Sequence, residues 1–270
     1  MKTYIINLTK DKDRRKNMET ILAPYKKLSV EYIEAVDGRS LSENELSRLF
    51  NQDKFSKTHI NSATTLEIGC VSSHHKCYKK LLESNEKYAL ILEDDISKPD
   101  EDFSAILAKI EVGLSNTKPR IILLSDWFWY TRSNPFLGKH KIAKVYAGFL
   151  AHAYIINRAG AELLTRELPS YIADDWATIR RKGIEISAII PHIIQQNWTK
   201  DFKSSIQQPP QQANNCSFHK MLRALMWQLS FLRQRIPMAV LKLTGHYYAP
   251  HQSKSEWEKS TAGNSYTIVL

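Results

Sequence analysis

The chain has 270 residues, of which 43% are hydrophobic and 24% charged, with a formal net charge of +10. That composition is ordinary for a globular chain with a sizeable core, and the basic balance favours anionic partners such as nucleic acid, acidic lipid or phosphorylated substrates without choosing among them. Three cysteines, Cys70, Cys77 and Cys216, make no regular framework and argue against a disulfide scaffold, and no apolar run reaches the 18 residues expected of a transmembrane helix.

Thr3–Leu8 reads as a buried strand, and charges resume at Lys10, too soon for the apolar core of a signal peptide. Asp11–Leu22 reads as a polar helix closed near Pro24. Val30–Val36 reads as a second strand, ended by the turn pair Asp37-Gly38. Ser42 and Glu45 have capping-box spacing for a helix to about Phe50, followed by a polar loop over Asn51–Ala63. Thr64 or Thr65 caps a helix to about Ser84. The short apolar run Tyr88–Leu92 reads as a central buried strand that stops at Glu93-Asp94-Asp95.

A helix over Asp100–Val112 and a strand over Arg120–Leu124 follow. Ile142–Tyr146 and His152–Ile156 extend the sheet in mixed or antiparallel fashion. Asn157 caps a helix to about Leu168, Ala173–Lys182 forms another, and Ile184–Ile190 is the last strand. The alternation predicts an α/β sheet with helices on both faces. The stretch 203–219 is rich in Gln, Pro and Asn and reads as a linker between a domain over 1–202 and a C-terminal region over 220–270.

That last region is basic and amphipathic. No Asp or Glu occurs from Phe202 to Ser255, while Lys203, Lys220, Arg223, Arg233, Arg235, Lys242 and Lys254 fall there. Leu222, Leu225, Met226, Leu229 and Leu232 share one helical stripe, flanked by Trp227 and limited by Pro237. Such a helix suits an anionic membrane surface. Packing on the main domain, or a dimer contact, is the alternative.

Glu93-Asp94-Asp95 is the sharpest local feature. Three adjacent acids beyond a strand's carboxyl end repel one another unless a divalent cation sits between them, and oxygen ligands suit Mg²⁺ or Mn²⁺ bound to a diphosphate. A solvated acidic turn is the alternative. Asp174-Asp175 precedes Trp176 and is either a helix cap or a general base for an acceptor hydroxyl. Cys70, His74 and Cys77 share a helical face, but three ligands from one helix fall short of a closed zinc site, and cysteines at that spacing fit core packing better. Asp13-Arg14-Arg15 is either a surface charge run or a phosphate grip beside the first strand's end. Ser125–Lys141 reads as a loop whose Trp127, Trp129 and Tyr130 stack on sugar rings or form a core edge.

Taken in order, YIINL with Asp13-Arg14-Arg15, EAVDG (Glu34–Gly38), EIGCVSSH (Glu67–His74), YALILEDDI (Tyr88–Ile96), HAYIINRAGAELL (His152–Leu164) and ADDW (Ala173–Trp176) resemble glycosyltransferase family 25 over about residues 1–200. The resemblance implies a GT-A-like, Rossmann-type nucleotide-sugar-binding domain. It implies a UDP-sugar donor, usually galactose transferred with inversion, and a lipopolysaccharide or lipooligosaccharide acceptor. It places Glu93 and Asp95 in a DxD-like motif on Mn²⁺ or Mg²⁺, with Asp94 in the same acidic neighbourhood. It sets Asn7, Arg14 and Asp37 around the nucleotide, His74 facing the cleft, and Asp175 or Asp174 as base.

The expectation is therefore a cytoplasmic enzyme, peripheral on the inner face of the membrane, that takes a nucleotide sugar and a glycan or glycolipid acceptor. A non-catalytic, membrane-associated scaffold is the competing reading, and intact acids in both clusters argue against it. A nucleic-acid-binding protein is a third. It needs one basic stripe, whereas much of the excess charge lies in the tail, so no nucleic acid is expected.

Overall fold

The computed structural model describes residues 1–59, 61–113, 117–197 and 236–248. Eight strands form one sheet: β1 (Lys2–Asn7), β2 (Ser29–Glu34), β3 (Tyr88–Glu93), β4 (Arg120–Leu123), β5 (Phe128–Leu137), β6 (His140–Gly148), β7 (Ala153–Asn157) and β8 (Glu185–Ile190). Their order is β2-β1-β3-β7-β4-β8-β6-β5. β1 runs parallel to both β2 and β3. β7 is inserted antiparallel between β3 and β4, which separates the β2-β1-β3 half from the rest.

The helices are α1 (Lys12–Leu22), α2 (Glu43–Leu49), α3 (Gln52–Phe55), α4 (Thr65–Glu83), α5 (Phe103–Gly113), α6 (Arg158–Thr165) and α7 (Trp176–Arg181). Alternate residues of the central strands enter different cores. Tyr4, Ile6, Ala89, Ile91, Tyr154 and Ile156 pack with residues of α4, α6 and α7. Ile5, Leu90, Leu92, Ala153 and Ile155 pack with Met18 and Leu22 of α1 and Phe103, Ile106 and Ile110 of α5. Burial on both faces is why YALIL has no polar alternation.

The cap signals act as their sequences predict. Ser42 with Glu45, and Thr64 with Glu67, form reciprocal capping boxes, and the Asn157 side chain accepts from Gly160 N–H. Two predicted elements differ. Part of the expected 51–63 loop is the short helix α3, which Asn51 caps. The expected 125–141 loop is instead largely β5, hairpinned to β6 with register irregularities near Tyr130 and Pro135 that break the period-two pattern.

EAVDG docks on α4 by close backbone approach. A Cβ on Gly38 would lie 1.7 Å from the Thr65 carbonyl oxygen, and one on Gly69 would lie 2.5 Å from the Val36 oxygen. Neither position has room for a side chain. The Ser73 hydroxyl, which donates to the Gly69 carbonyl, accepts the Val36 N–H at 2.8 Å. The turn carrying Asp37 is thereby fixed against the helix carrying Cys70 and His74.

The expected Leu222–Leu232 stripe and the 203–219 linker lie outside the described residues. Residues 236–243 are helical, and Pro237 lies within that described stretch. Beyond it, Tyr248 and Tyr130 exchange two backbone hydrogen bonds, of 3.0 and 2.9 Å. Tyr247 stacks on Trp129 and meets Tyr146 edge-on. This segment therefore packs on the β5–β6 hairpin. Among the described residues no helix is long and apolar enough to cross a membrane.

Candidate active site

Because β1 and β3 are parallel, Asn7 and Glu93 end their strands at the same edge of the sheet, where open α/β sheets place ligands. A cleft of about 370 Å³ lies there. Asn7, Arg14, Asp37, His74, Glu93, Asp94, Asp95 and Asp174 all line it. Residues distant in sequence thus meet in one place.

The three consecutive acids have different surroundings. Asp94 is satisfied by protein: Asn7 Nδ2 donates to Oδ2 at 2.7 Å and Arg14 Nη1 to Oδ1 at 2.8 Å. Burial pushes its carboxyl up, and the two donors pull it back only in part. Its evident task is to hold Asn7 and Arg14. Asp95 Oδ2 accepts from Gln196 Nε2 at 2.9 Å, while its buried Oδ1 has no protein partner among the described residues. Burial, then the neighbouring Glu93 charge, pushes Asp95 up to about 7. Glu93 accepts from or shares a proton with His74 Nε2 at 3.2 Å. Although burial opposes its ionisation, His74 holds it below its ordinary value.

Asp174 and Asp175 are separated by the start of α7. The Asp175 side chain accepts the Thr178 N–H at 2.9 Å as the helix cap, with His59 Nε2 at 3.7 Å from its other oxygen. Burial raises its carboxyl, but His59 and Thr178 outweigh that and keep it low. Asp174 instead lines the cleft and accepts the Leu150 N–H at 3.2 Å. Burial, with the Asp175 and Glu93 charges behind it, pushes Asp174 up to about 6. The predicted helix start at Ala173 is therefore three residues too early, because Asp175 is the N-cap and α7 begins at Trp176.

Asp37 sits at the rim, held by Lys10 Nζ at 2.7 Å and Arg39 Nε at 2.7 Å, which keep its carboxyl well below the usual range. Trp127, Trp129 and Tyr130 do not line the cleft. Trp127 has a φ of 67° just before β5, and Trp129 and Tyr130 are engaged by Tyr247 and Tyr248, which accounts for their apolar surface.

Sequence reasoning gave no functional role to three cleft residues, Gln196, Leu150 and His152, and for a fourth, Cys70, favoured core packing over zinc. Gln196 is held beside Asp95 by the Ile96–Gln196 bridge. Leu150 has a left-handed φ of 64° and is pinned by Asp174 on its N–H and by Trp176 Nε1 on its carbonyl. Strain of that kind persists only where neighbours enforce it. His152 is buried with Nδ1 unpartnered among the described residues. Cys70 lines the cleft beside His74, and burial, then Glu93, pushes its thiol up. HAYIIN and EIGC contain two of the four, His152 and Cys70, and no local signal distinguishes them from core residues.

Seven carboxylates line the cleft (Asp11, Asp37, Glu67, Glu93, Asp94, Asp95, Asp174) against two guanidinium groups, Arg14 and Arg39. Asp95 Oδ1, Gln196 Oε1 and His152 Nδ1 are all buried without a protein partner among the described residues. Buried polar atoms are nearly always paired in native proteins, so three such atoms on residues that line one acidic cleft are what a bound ligand supplying the missing partners leaves behind. Glu93 and Asp95, with oxygen donors only, fit a hard cation that completes its shell with phosphate and water.

Comparison with known proteins gives weak structural and clear sequence relationships. A galactosyltransferase solved with donor and acceptor sugar analogs aligns over 84% of this chain and 95% of its own at 9% identity, with a TM-score of 0.34. The inositol-1-phosphate CTP transferase from T. maritima aligns over 83% and 95% at 9% identity, with a TM-score of 0.36. No inference rests on likeness that distant. A glycosyltransferase 25 family member from Anopheles gambiae is 33% identical over 184 residues, 62% of this chain and 28% of its own. Procollagen galactosyltransferase 2 from Homo sapiens is 32% identical over 99 residues, 34% and 15% respectively. The chain thus spans less than a third of the length of these curated relatives. The model of glycosyltransferase family 25 (LPS biosynthesis protein) matches residues 1–176, the stretch that builds β1, β3 and every carboxylate of the cleft, and the chain, with its mixed α/β sheet, belongs to that family.

Proposed function

We propose that the cleft takes UDP-galactose with Mn²⁺ or Mg²⁺ and transfers galactose, with inversion, to a hydroxyl of a lipopolysaccharide, lipooligosaccharide or related surface glycan. The supporting observation is the contradiction between an acid-lined cleft and an anionic diphosphate, which a divalent cation on Glu93 and Asp95 removes. Such a cation neutralises charge on the departing nucleotide. Arg14, set by Asp94, faces the same negative group, and Asn7 and Asp37 flank the nucleotide. Asp174 is the base. It lies in the cleft with a carboxyl near 6, which suits a group that must be ionised yet accept a proton at neutral pH. The galactose preference rests on relatives named as galactosyltransferases.

The test is UDP release by the full chain with UDP-galactose, UDP-glucose or UDP-N-acetylglucosamine and a truncated lipooligosaccharide. UDP-galactose should support turnover, chelation should stop it, and Mn²⁺ or Mg²⁺ should restore it. No release from any donor overturns the reading; release in excess chelator overturns only the cation.

We also propose a place on the cytoplasmic face of the membrane, with the region 220–270 as a peripheral contact. Within its described part, Ile236, Val240 and Leu243 share a helical face and are 61%, 53% and 88% exposed. The full chain should sediment with anionic vesicles at low salt and not with zwitterionic ones. Failure to bind anionic vesicles removes the membrane contact.

A further inference from the structure

We propose that Cys70, His74 and Glu93 form a second, softer metal site in the cleft, one that takes Zn²⁺ or Co²⁺ through thiolate, imidazole and carboxylate. Their ligand atoms all lie within 4.8 Å of one another. Cys70 and His74 are one helical turn apart on α4, and Glu93 ends β3 opposite them. Two ligands at i and i+4 on one helical face is a known zinc-binding spacing, and a carboxylate serves as third ligand in zinc sites built of two histidines and a glutamate. Cys77, which the sequence pattern grouped with these residues, is fully buried in the core instead. Glu93 takes its place.

The surroundings suit a metal. All three residues face the cleft, so a fourth position stays open for water or a phosphate oxygen. His74 Nδ1 is 2.8 Å from the Tyr154 hydroxyl, which is itself 2.7 Å from the Tyr78 hydroxyl. Donation of Nδ1–H to Tyr154 turns the Nε2 lone pair toward Glu93, the outer-shell pattern of a metal-bound histidine. A metal there replaces the proton shared by Nε2 and Glu93, and the thiol proton leaves to water. Tetrahedral zinc ligands lie about 3.3–3.6 Å apart, so closure by about 1.5 Å or less suffices, within reach of side-chain rotation. The other three-residue cluster, Asp100, Asp102 and His140, already has a cation beside it, with Lys139 Nζ 3.5 Å from Asp102.

Glu93 cannot serve both sites fully. Zn²⁺ bound on Cys70 and His74 draws it from the Asp95 side, so Zn²⁺ should inhibit transfer in competition with Mn²⁺. That consequence rests on the transferase reading; the binding itself does not.

Binding is tested on the reduced, metal-free full chain with Co²⁺, whose thiolate complex has a charge-transfer absorption in the near ultraviolet. One equivalent should produce the band, and Zn²⁺ should bleach it. Cys70→Ser should abolish the band and weaken binding by more than about tenfold, the scale on which even supporting groups matter. Cys216→Ser should keep it, and this variant decides the matter should Cys70→Ser fail to fold. No band in the wild-type chain, a band that survives in folded Cys70→Ser, or one lost in Cys216→Ser overturns the site. An inactive chain that still shows the Cys70-dependent band defeats the transferase reading and leaves the metal site standing.

Discussion

Replacing Asp174 by Asn should cut transfer by about 10²–10⁴-fold and, in the same protein, raise stability at neutral pH. Both effects come from one environment. Burial, with Asp175 and Glu93 nearby, lifts the Asp174 carboxyl from 3.8 to about 6. The folded chain therefore holds this proton more tightly than the unfolded chain does. Stability falls as pH rises from about 4 to about 6, because ionisation of the folded state then works against burial, and the loss persists above that window. Asn does not titrate, so the variant gains on the wild type across the same interval, with a ceiling of about 3 kcal/mol. Denaturant melts of both proteins at pH 4 and pH 8 measure the difference. Wild-type turnover should fall below about pH 6 as the base is protonated. Asp175→Asn is the control: Asn caps helices as well as Asp, so it should keep most transfer. If Asp175→Asn is dead and Asp174→Asn active, the base is Asp175 and its contact with His59 becomes the relevant one.

What could be read from the sequence follows the range of the interactions. Caps at Ser42, Thr64 and Asn157 are three-residue events, and the buried strand Tyr88–Leu92 declares itself by composition. The gathering of Asn7, Arg14 and Glu93–Asp95 was legible only through the family resemblance, and the structure supplies its cause, parallel β1 and β3 ending at one edge. β5 was not, because its irregular pairing with β6 destroys alternation and its edge is shared with Tyr248 from far along the chain. The insertion of β7 between β3 and β4 has no local signature either. Asp174 and Asp175 look alike in sequence, and only the position at which α7 starts divides them. Leu150 could not be found at all: an ordinary apolar residue is held in the left-handed region by donating its N–H to Asp174 and accepting from Trp176.

Neighbouring aspartates should also separate experimentally. Asp95→Asn should reduce transfer by at least about 10²–10³-fold, the effect of removing one preorganised electrostatic partner of a developing charge, while leaving the fold intact. Its Oδ1 is the buried acceptor that no donor among the described residues reaches, so the variant gives up no bond shown there, and an amide oxygen can still accept from Gln196. The sharper readout is independent of activity. A cation that binds only the folded chain raises stability by about 2.7 kcal/mol at a hundredfold excess over its dissociation constant. Mn²⁺ should therefore raise the melting temperature of the wild-type chain in the presence of UDP, and Asp95→Asn should lose that shift. Asp94→Asn should behave in the opposite way. Both its oxygens are used, by Asn7 and by the largely buried Arg14, so an amide there forfeits one of the two hydrogen bonds and leaves Arg14 without its nearest carboxylate, a loss that relief from burying a charge offsets only in part. The Asp94 variant should be less stable with or without Mn²⁺, yet keep part of the Mn²⁺ shift. A full Mn²⁺ shift in Asp95→Asn with none in Asp94→Asn would exchange the two roles and place the cation on the Arg14 side of the cleft.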